Sequence, residues 1–347
     1  MTQRKNLKTA GNFVSAVILG AMALTSQAVA TEEVNLYSFR QPFLIEPMLK
    51  EFTRRNGIAV NVVYAKQGVL ERLRAEGPNS PADAVLTVDI GRLHDLVEAE
   101  ILQPVASPVL AANIPAQYRH PDGLWFGLTT RARIIFVSRD RVGVDEVRSY
   151  ADLAAPHMKG RVCSRSGKSD YNISLLASII AHEGEQAARD WLRGVKSNLA
   201  RKPQGNDRAQ AKAIMEGVCD AALANTYYMG HMLSGENPEQ KAWAEAVRIV
   251  FPNQDDRGTH VNISGAALVR GATNRDNAVK LIEFLSDDDA QRLYAEANLE
   301  YPVKAGAPTH PLVESWGSFK ADTIELAKVA KYRPLAARIV DEVAFDL

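Results

Sequence analysis

Three tyrosines are the residues of this sequence whose type and placement most suggest chemistry. Tyr227 and Tyr228 are adjacent in Ala224-Asn225-Thr226-Tyr227-Tyr228-Met229-Gly230, a loop that follows a predicted strand. Tyr171 holds an equivalent place in Ser164-Arg165-Ser166-Gly167-Lys168-Ser169-Asp170-Tyr171-Asn172, between a strand and a helix. Neighbours on a strand point to opposite faces, but in a loop or first helical turn at a strand end both hydroxyls can converge. A phenolate is a hard, anionic oxygen donor that ligates iron in some haem sites. With an ordinary pKa of about 10, a phenol keeps its proton until a strong Lewis acid displaces it. Ferric iron, hard and tripositive, is such an acid, whereas softer metals call for Cys or His and calcium for carboxylates and carbonyls. The plain alternative is that the tyrosines cover a surface or pack in the core. The seven histidines show no ligand spacing: His182-Glu183 reads as solvated surface, and His231, three residues after Tyr228, is the one within reach.

Three phenolates would neutralise a tripositive ion but fill only three of its coordination positions. A small dianion such as carbonate would fill two more and would need cationic or amide partners. Arg40 and Gln41, in the loop Ser38-Phe39-Arg40-Gln41-Pro42, and Arg131 and Arg133 are the candidates. The Ser166–Asn172 loop also leads into a helix, whose free amides favour an anion, although alone it reads as an ordinary N-cap.

The elements that must position these loops follow from periodicity. Val34–Ser38 reads as a strand, Pro42–Asn56 as a helix with apolar residues at helical spacing and Gly57 as its stop. Ile58–Tyr64 is a β-branched strand, Val69–Glu76 a helix, Ala84–Thr87 a strand and Gly91–Ala99 a helix. Trp125–Thr129 and Ala132–Val137 are predicted as two strands separated by Thr130-Arg131. The alternation resumes with a strand at Val162–Ser164, helices at 172–182, 184–195 and 207–216, and a strand at 219–224. Helices are predicted over Lys280–Leu285, Asp287–Ala297, Phe319–Tyr332 and Pro334–Phe345. Such alternation indicates an α/β fold of two lobes, each a mostly parallel sheet flanked by helices. Ligands of open α/β sheets bind at strand C-termini, which places the cleft between the lobes.

The chain begins with Arg4, Lys5 and Lys8, an apolar stretch from Phe13 to Leu24, and Ala28-Val29-Ala30. That order is a secretory signal with cleavage expected after Ala30, too short and interrupted to span a bilayer. Its removal turns a neutral chain into one about three charges negative, which argues against nucleic acid or anionic membrane as partner. The two cysteines, Cys163 and Cys219, are a possible disulfide in an oxidising compartment, or else two buried thiols. No G-x-S-x-G, dinucleotide fingerprint, P-loop or C-x-x-C occurs, so an exported hydrolase or transferase is not expected.

Asn35–Pro47, Ser80-Pro81-Ala82-Asp83, Cys163-Ser164-Arg165-Ser166, Asp170-Tyr171-Asn172, Asn225-Thr226-Tyr227-Tyr228, and Phe284-Leu285-Ser286 through Tyr301-Pro302-Val303 resemble the periplasmic ferric-ion-binding proteins of ABC iron importers. The resemblance spans the chain after residue 30. It implies a type II periplasmic-binding-protein fold with strands crossing between lobes near Arg131 and Gly265. It further implies Tyr171, Tyr227 and Tyr228 as metal ligands, and Gln41 and Arg131 as contacts of a synergistic carbonate, with Arg40 and Arg133 as further candidates. Many members carry His or His-Tyr after the first strand, where this chain has Arg40-Gln41-Pro42, so it resembles the subgroup with three tyrosines and carbonate. The expected layout is a signal peptide over 1–30, a first lobe over 31–131 with a return over 265–305, and a second lobe over 132–264 with C-terminal helices over 306–347. The expected product is a periplasmic monomer that binds ferric iron and delivers it to an inner-membrane ABC permease. The alternative is a carrier of an oxyanion or of a polyamine, the latter using Asp83, Asp89 and Trp125.

Overall fold

The computed structural model describes residues 32–347; the expected export signal and its cleavage site after Ala30 lie outside them. The first strand, β1 (Glu33–Ser38), runs parallel to β2 (Ala59–Tyr64) and β3 (Ala84–Thr87). The helix Pro42–Asn56 between β1 and β2 has proline in its first turn, buries Ile45, Met48, Leu49 and Phe52, and ends at Gly57. With φ 69°, Gly57 occupies the left-handed region that a Cβ would disfavour, and its N–H caps Thr53 O at 2.9 Å. The Phe52 ring lies 5.5 Å from that of Phe284, tying this helix to the later helix Arg275–Leu285. Burying such a ring contributes about 1.5–3 kcal/mol.

Beyond β3 the sheet departs from the parallel expectation. A single strand, β4 (Phe126–Ser138), replaces the two predicted around Thr130-Arg131, and all thirteen of its residues are buried. Its first half pairs antiparallel with β8 (Val261–Leu268) and with β9 (Tyr301–Pro302). From Arg133 onward it pairs antiparallel with β6 (Ala221–Asn225) and β7 (Val247–Val250). β6 is parallel to β5 (Val162–Cys163), and β8 is antiparallel to β3. Among the described residues the strand order is β2-β1-β3-β8-β4-β6-β5, a mixed sheet. Polar Thr130 and Arg131 read as a break because only tertiary partners satisfy them.

The hydrophobic residues collect around two ends of this sheet. Leu36, Phe52, Leu86, Leu268 and Phe284 pack at one end, and Ile135, Leu176, Leu223, Ile339 and Val340 at the other. Cys163 and Cys219, both buried, are disulfide-bonded with Cα atoms 5.8 Å apart, joining β5 to the turn before β6. The predicted helix at Phe319–Tyr332 starts only at Leu326. Residues 320–322 instead bond to Thr259, with Thr259 N–H donating to Lys320 O at 2.9 Å and Asp322 N–H to Thr259 O at 2.8 Å. Among the described residues no helix is long and apolar enough to cross a membrane.

Candidate metal centre

Two helices bring the three tyrosines together. Tyr171 lies in the first turn of the helix Asp170–Glu183, whose N-cap Ser169 accepts from Asn172 N–H. Tyr227 and Tyr228 lie in the first turn of the helix Thr226–Ser234, which begins directly after β6; the predicted loop is therefore helical. The Tyr227 hydroxyl donates to the Tyr171 hydroxyl at 2.9 Å, and the Tyr227 and Tyr228 rings stack with centroids 4.5 Å apart. All three line a cleft of about 470 Å³, together with Arg40, Gln41, Arg131, Arg208, His231, Asn298 and Glu300. Gly230 lets the tyrosine helix approach the chain at Leu299, since a Cβ there would sit 2.7 Å from Leu299 Cδ1.

A buried framework beneath the cleft holds the helix starts. The Asp207 carboxylate accepts from Arg133 Nη1 at 2.7 Å, Arg165 Nη1 at 3.0 Å and Asn225 N–H at 2.8 Å. Arg133 also donates to Asn172 Oδ1 at 2.7 Å and Asn225 Oδ1 at 3.0 Å. Each asparagine is within two residues of a cleft tyrosine, so Arg133 bolts both helix starts to β4 from below. Arg133 thus does not line the cleft as an anion contact would; its guanidinium is engaged underneath.

The other sequence candidates stand in the cleft wall under different constraints. Arg40 is buried, donating to both carboxylate oxygens of Glu300 at 2.9 and 3.1 Å and to Asn298 Oδ1 and Ser264 Oγ. Arg131 donates to Val88 O and to Ser264 Oγ at 3.3 Å and lies 3.9 Å from Asp89. Gln41 is exposed at the N-terminus of the helix Pro42–Asn56 and makes no capping bond with its side chain. Asn298 and Glu300, which the sequence reading passed over, flank Leu299, a bulky residue at φ 54°. Their signal was a polar pair at the end of an amphipathic helix, just before Tyr301-Pro302. Arg208, also unanticipated, lies 5.0 Å from the Tyr228 ring centroid.

Charge and burial set the protonation of the site. Burial pushes the Tyr227 phenol well above its ordinary value, reinforced by Tyr171, Tyr228 and Asp207. Burial also raises Tyr171, with Tyr228 adding to it and Arg131 opposing. For Glu300, burial would raise the carboxyl, but Arg40, Arg131 and the Thr129 hydroxyl outweigh it, so it is held below the usual range. Burial lowers the His231 imidazole, and nearby Arg208 lowers it further. The neutral His231 imidazole and the protonated phenols of Tyr171 and Tyr227 therefore face the cleft at neutral pH. Among the described residues no cluster of three His, Cys, Asp or Glu side chains is arranged to hold a metal ion. Asp83 is bound to Asn35 and Asn274, Asp89 caps Gly91 N–H, and Trp125 is buried in the core. None of these three lines the cleft.

Residues 79–321 match the family of bacterial extracellular solute-binding proteins. Iron uptake protein A1 of Synechocystis is 47% identical over 315 residues, covering 90% of this chain and 88% of that protein. The structure of Mannheimia haemolytica ferric iron-binding protein A in an open conformation is 53% identical with a TM-score of 0.87, over 91% of this chain and 99% of that one. A Trichodesmium protein (IdiA, FutA) in complex with iron and citrate ligands is 42% identical with a TM-score of 0.88, over 90% of this chain and 99% of that one. With its two-lobed α/β fold and its cleft of converging tyrosines, this chain belongs to the bacterial extracellular solute-binding proteins, a family of binding proteins and not of enzymes.

Proposed function

We propose that this protein binds ferric iron in the periplasm and delivers it to an inner-membrane ABC permease. The observation that carries this reading is the convergence of Tyr171, Tyr227 and Tyr228 from two helix starts into one cleft. Three phenolates match the charge and hardness of the ion, and relatives named for iron uptake and ferric iron binding agree with it. Carbonate completes the coordination as a synergistic anion, held by Gln41 and Arg131, with Arg40 in the wall beside them. The protein acts as a monomer after cleavage behind Ala30. One lobe comprises 31–131 and 265–305, the other 132–264 and 306–347; the tyrosines hold the ion on the second lobe and its carbonate reaches Gln41 and Arg131 of the first, so that binding favours the closed form by its differential affinity.

Equilibrium dialysis against ferric iron kept soluble by a competing chelator tests the reading. One ferric ion retained per chain is expected. No retention of iron, with stabilisation by an oxyanion or polyamine instead, would replace it with the alternative carrier.

A further inference from the structure

Five arginines lie at or near the tyrosines, of which Arg40, Arg131 and Arg208 line the cleft, and their partners divide them sharply. Arg40 is paired with Glu300, so the two together bring no net charge to the cleft. Arg133 and Arg165 share the buried carboxylate of Asp207 below the helix starts, and the one positive charge this leaves lies outside the cleft lining. Arg131 faces the cleft with Asp89 at 3.9 Å, a carboxylate that also pairs with Arg333 at 3.3 Å. Arg208 differs from all of them. It lines the same cleft as Arg131, its guanidinium lies over Tyr228, and no carboxylate pairs with it among the described residues.

Resting on the ferric reading, the charge balance then becomes specific. Ferric iron with three phenolates is neutral, and a carbonate adds two negative charges that the wall must meet. Arg131 supplies one positive charge. Arg40 cannot supply the other, because Glu300 already neutralises it at 2.9 Å. We propose that Arg208 is the second cationic contact of the synergistic anion, reaching it from beside Tyr228. An arginine that no carboxylate engages keeps its donors for charge-assisted bonds to an anion. That makes Arg208 a residue of anion capture and leaves Arg40 as a wall element locked to Glu300.

The test compares the protein with its Arg208→Gln and Arg208→Lys variants by titrating bicarbonate into iron-loaded samples and following the ferric-phenolate absorption. Arg208→Gln is expected to raise the half-saturating bicarbonate concentration about tenfold to a hundredfold, the range of one lost charge-assisted hydrogen bond. Arg208→Lys is expected to fall between it and the parent. Thermal midpoints of the iron-free proteins are expected to agree closely, since Arg208 pairs with no carboxylate and loses only its stacking over Tyr228. An unchanged bicarbonate titration in Arg208→Gln would overturn the assignment, and a lowered iron-free midpoint alongside it would make the residue structural. Absence of the absorption in the parent itself would overturn the ferric reading and this inference with it, a result distinct from the other two.

Discussion

At the residue scale, the site is defined by three phenol oxygens, of which those of Tyr171 and Tyr227 are held protonated by burial. Replacing Tyr228 with Phe removes one oxygen and no hydrogen bond to another protein group. Ferric affinity should therefore fall by at least about a hundredfold, the upper range that even outer-shell losses reach. Far-UV circular dichroism and the thermal midpoint should stay at the parent values, and unchanged affinity by chelator competition would remove Tyr228 from the site. The raised phenols of Tyr171 and Tyr227 also set a pH dependence. The folded chain holds these protons more tightly than the unfolded chain, so their contribution to stability is complete below about pH 10 and is lost as the pH rises above it. Urea unfolding of the iron-free protein should show stability falling above about pH 10, with a shallower fall in Tyr227→Phe. Buried Tyr150 and Tyr294, also raised, leave a residual slope. Iron affinity should move the opposite way and increase with pH, because the bound phenols have lost their protons.

At the scale of elements, the question is what holds two helix starts close enough for their tyrosines to touch. Asp207 is completely buried and joins Arg133, Arg165 and the backbone of Asn225. Asp207→Asn leaves buried Arg133 and partly buried Arg165 without their carboxylate and should cost about 3–5 kcal/mol, read from chemical denaturation. A loss under about 1 kcal/mol would show that the framework is replaceable. Local pattern was enough to place most elements: Val69–Glu76 is a helix and Ala84–Thr87 a strand as the periodicity indicated. It was enough for Tyr171 and Tyr227-Tyr228 because each sits at a strand-to-helix turn. It was not enough for β4, where buried Thr130 and Arg131 find partners only from distant segments such as Ser264 and Val88. The same reason hid the true place of Arg133. Its chemistry pointed to an anion, but Asp207 and Asn172 lie far along the chain and claim it from below. Glu300 escaped notice because its meaning depends on Arg40, brought to it from the other end of the chain.

For the whole molecule, two covalent and topological features keep the cleft in shape. β4 passes through the sheet, paired with β8 and β9 in its first half and with β6 and β7 in its second. The Cys163–Cys219 bond closes a long loop over a sequence separation of 56 within the half that carries the tyrosines. Replacing both cysteines with serine should lower stability by about 2–4 kcal/mol in denaturant titrations. Neither cysteine lines the cleft, so the iron stoichiometry of the folded variant should remain the same. A variant as stable as the parent would mean that packing alone sets this region. The central claim, that tyrosine oxygens from two helix starts ligate ferric iron, is tested most directly by the visible spectrum of the purified protein with ferric iron in bicarbonate buffer. The account predicts a reddish phenolate-to-iron charge-transfer band that weakens without bicarbonate and is lost in the Tyr227→Phe, Tyr228→Phe double variant. A colourless parent protein, or an unchanged band in the double variant, would contradict it.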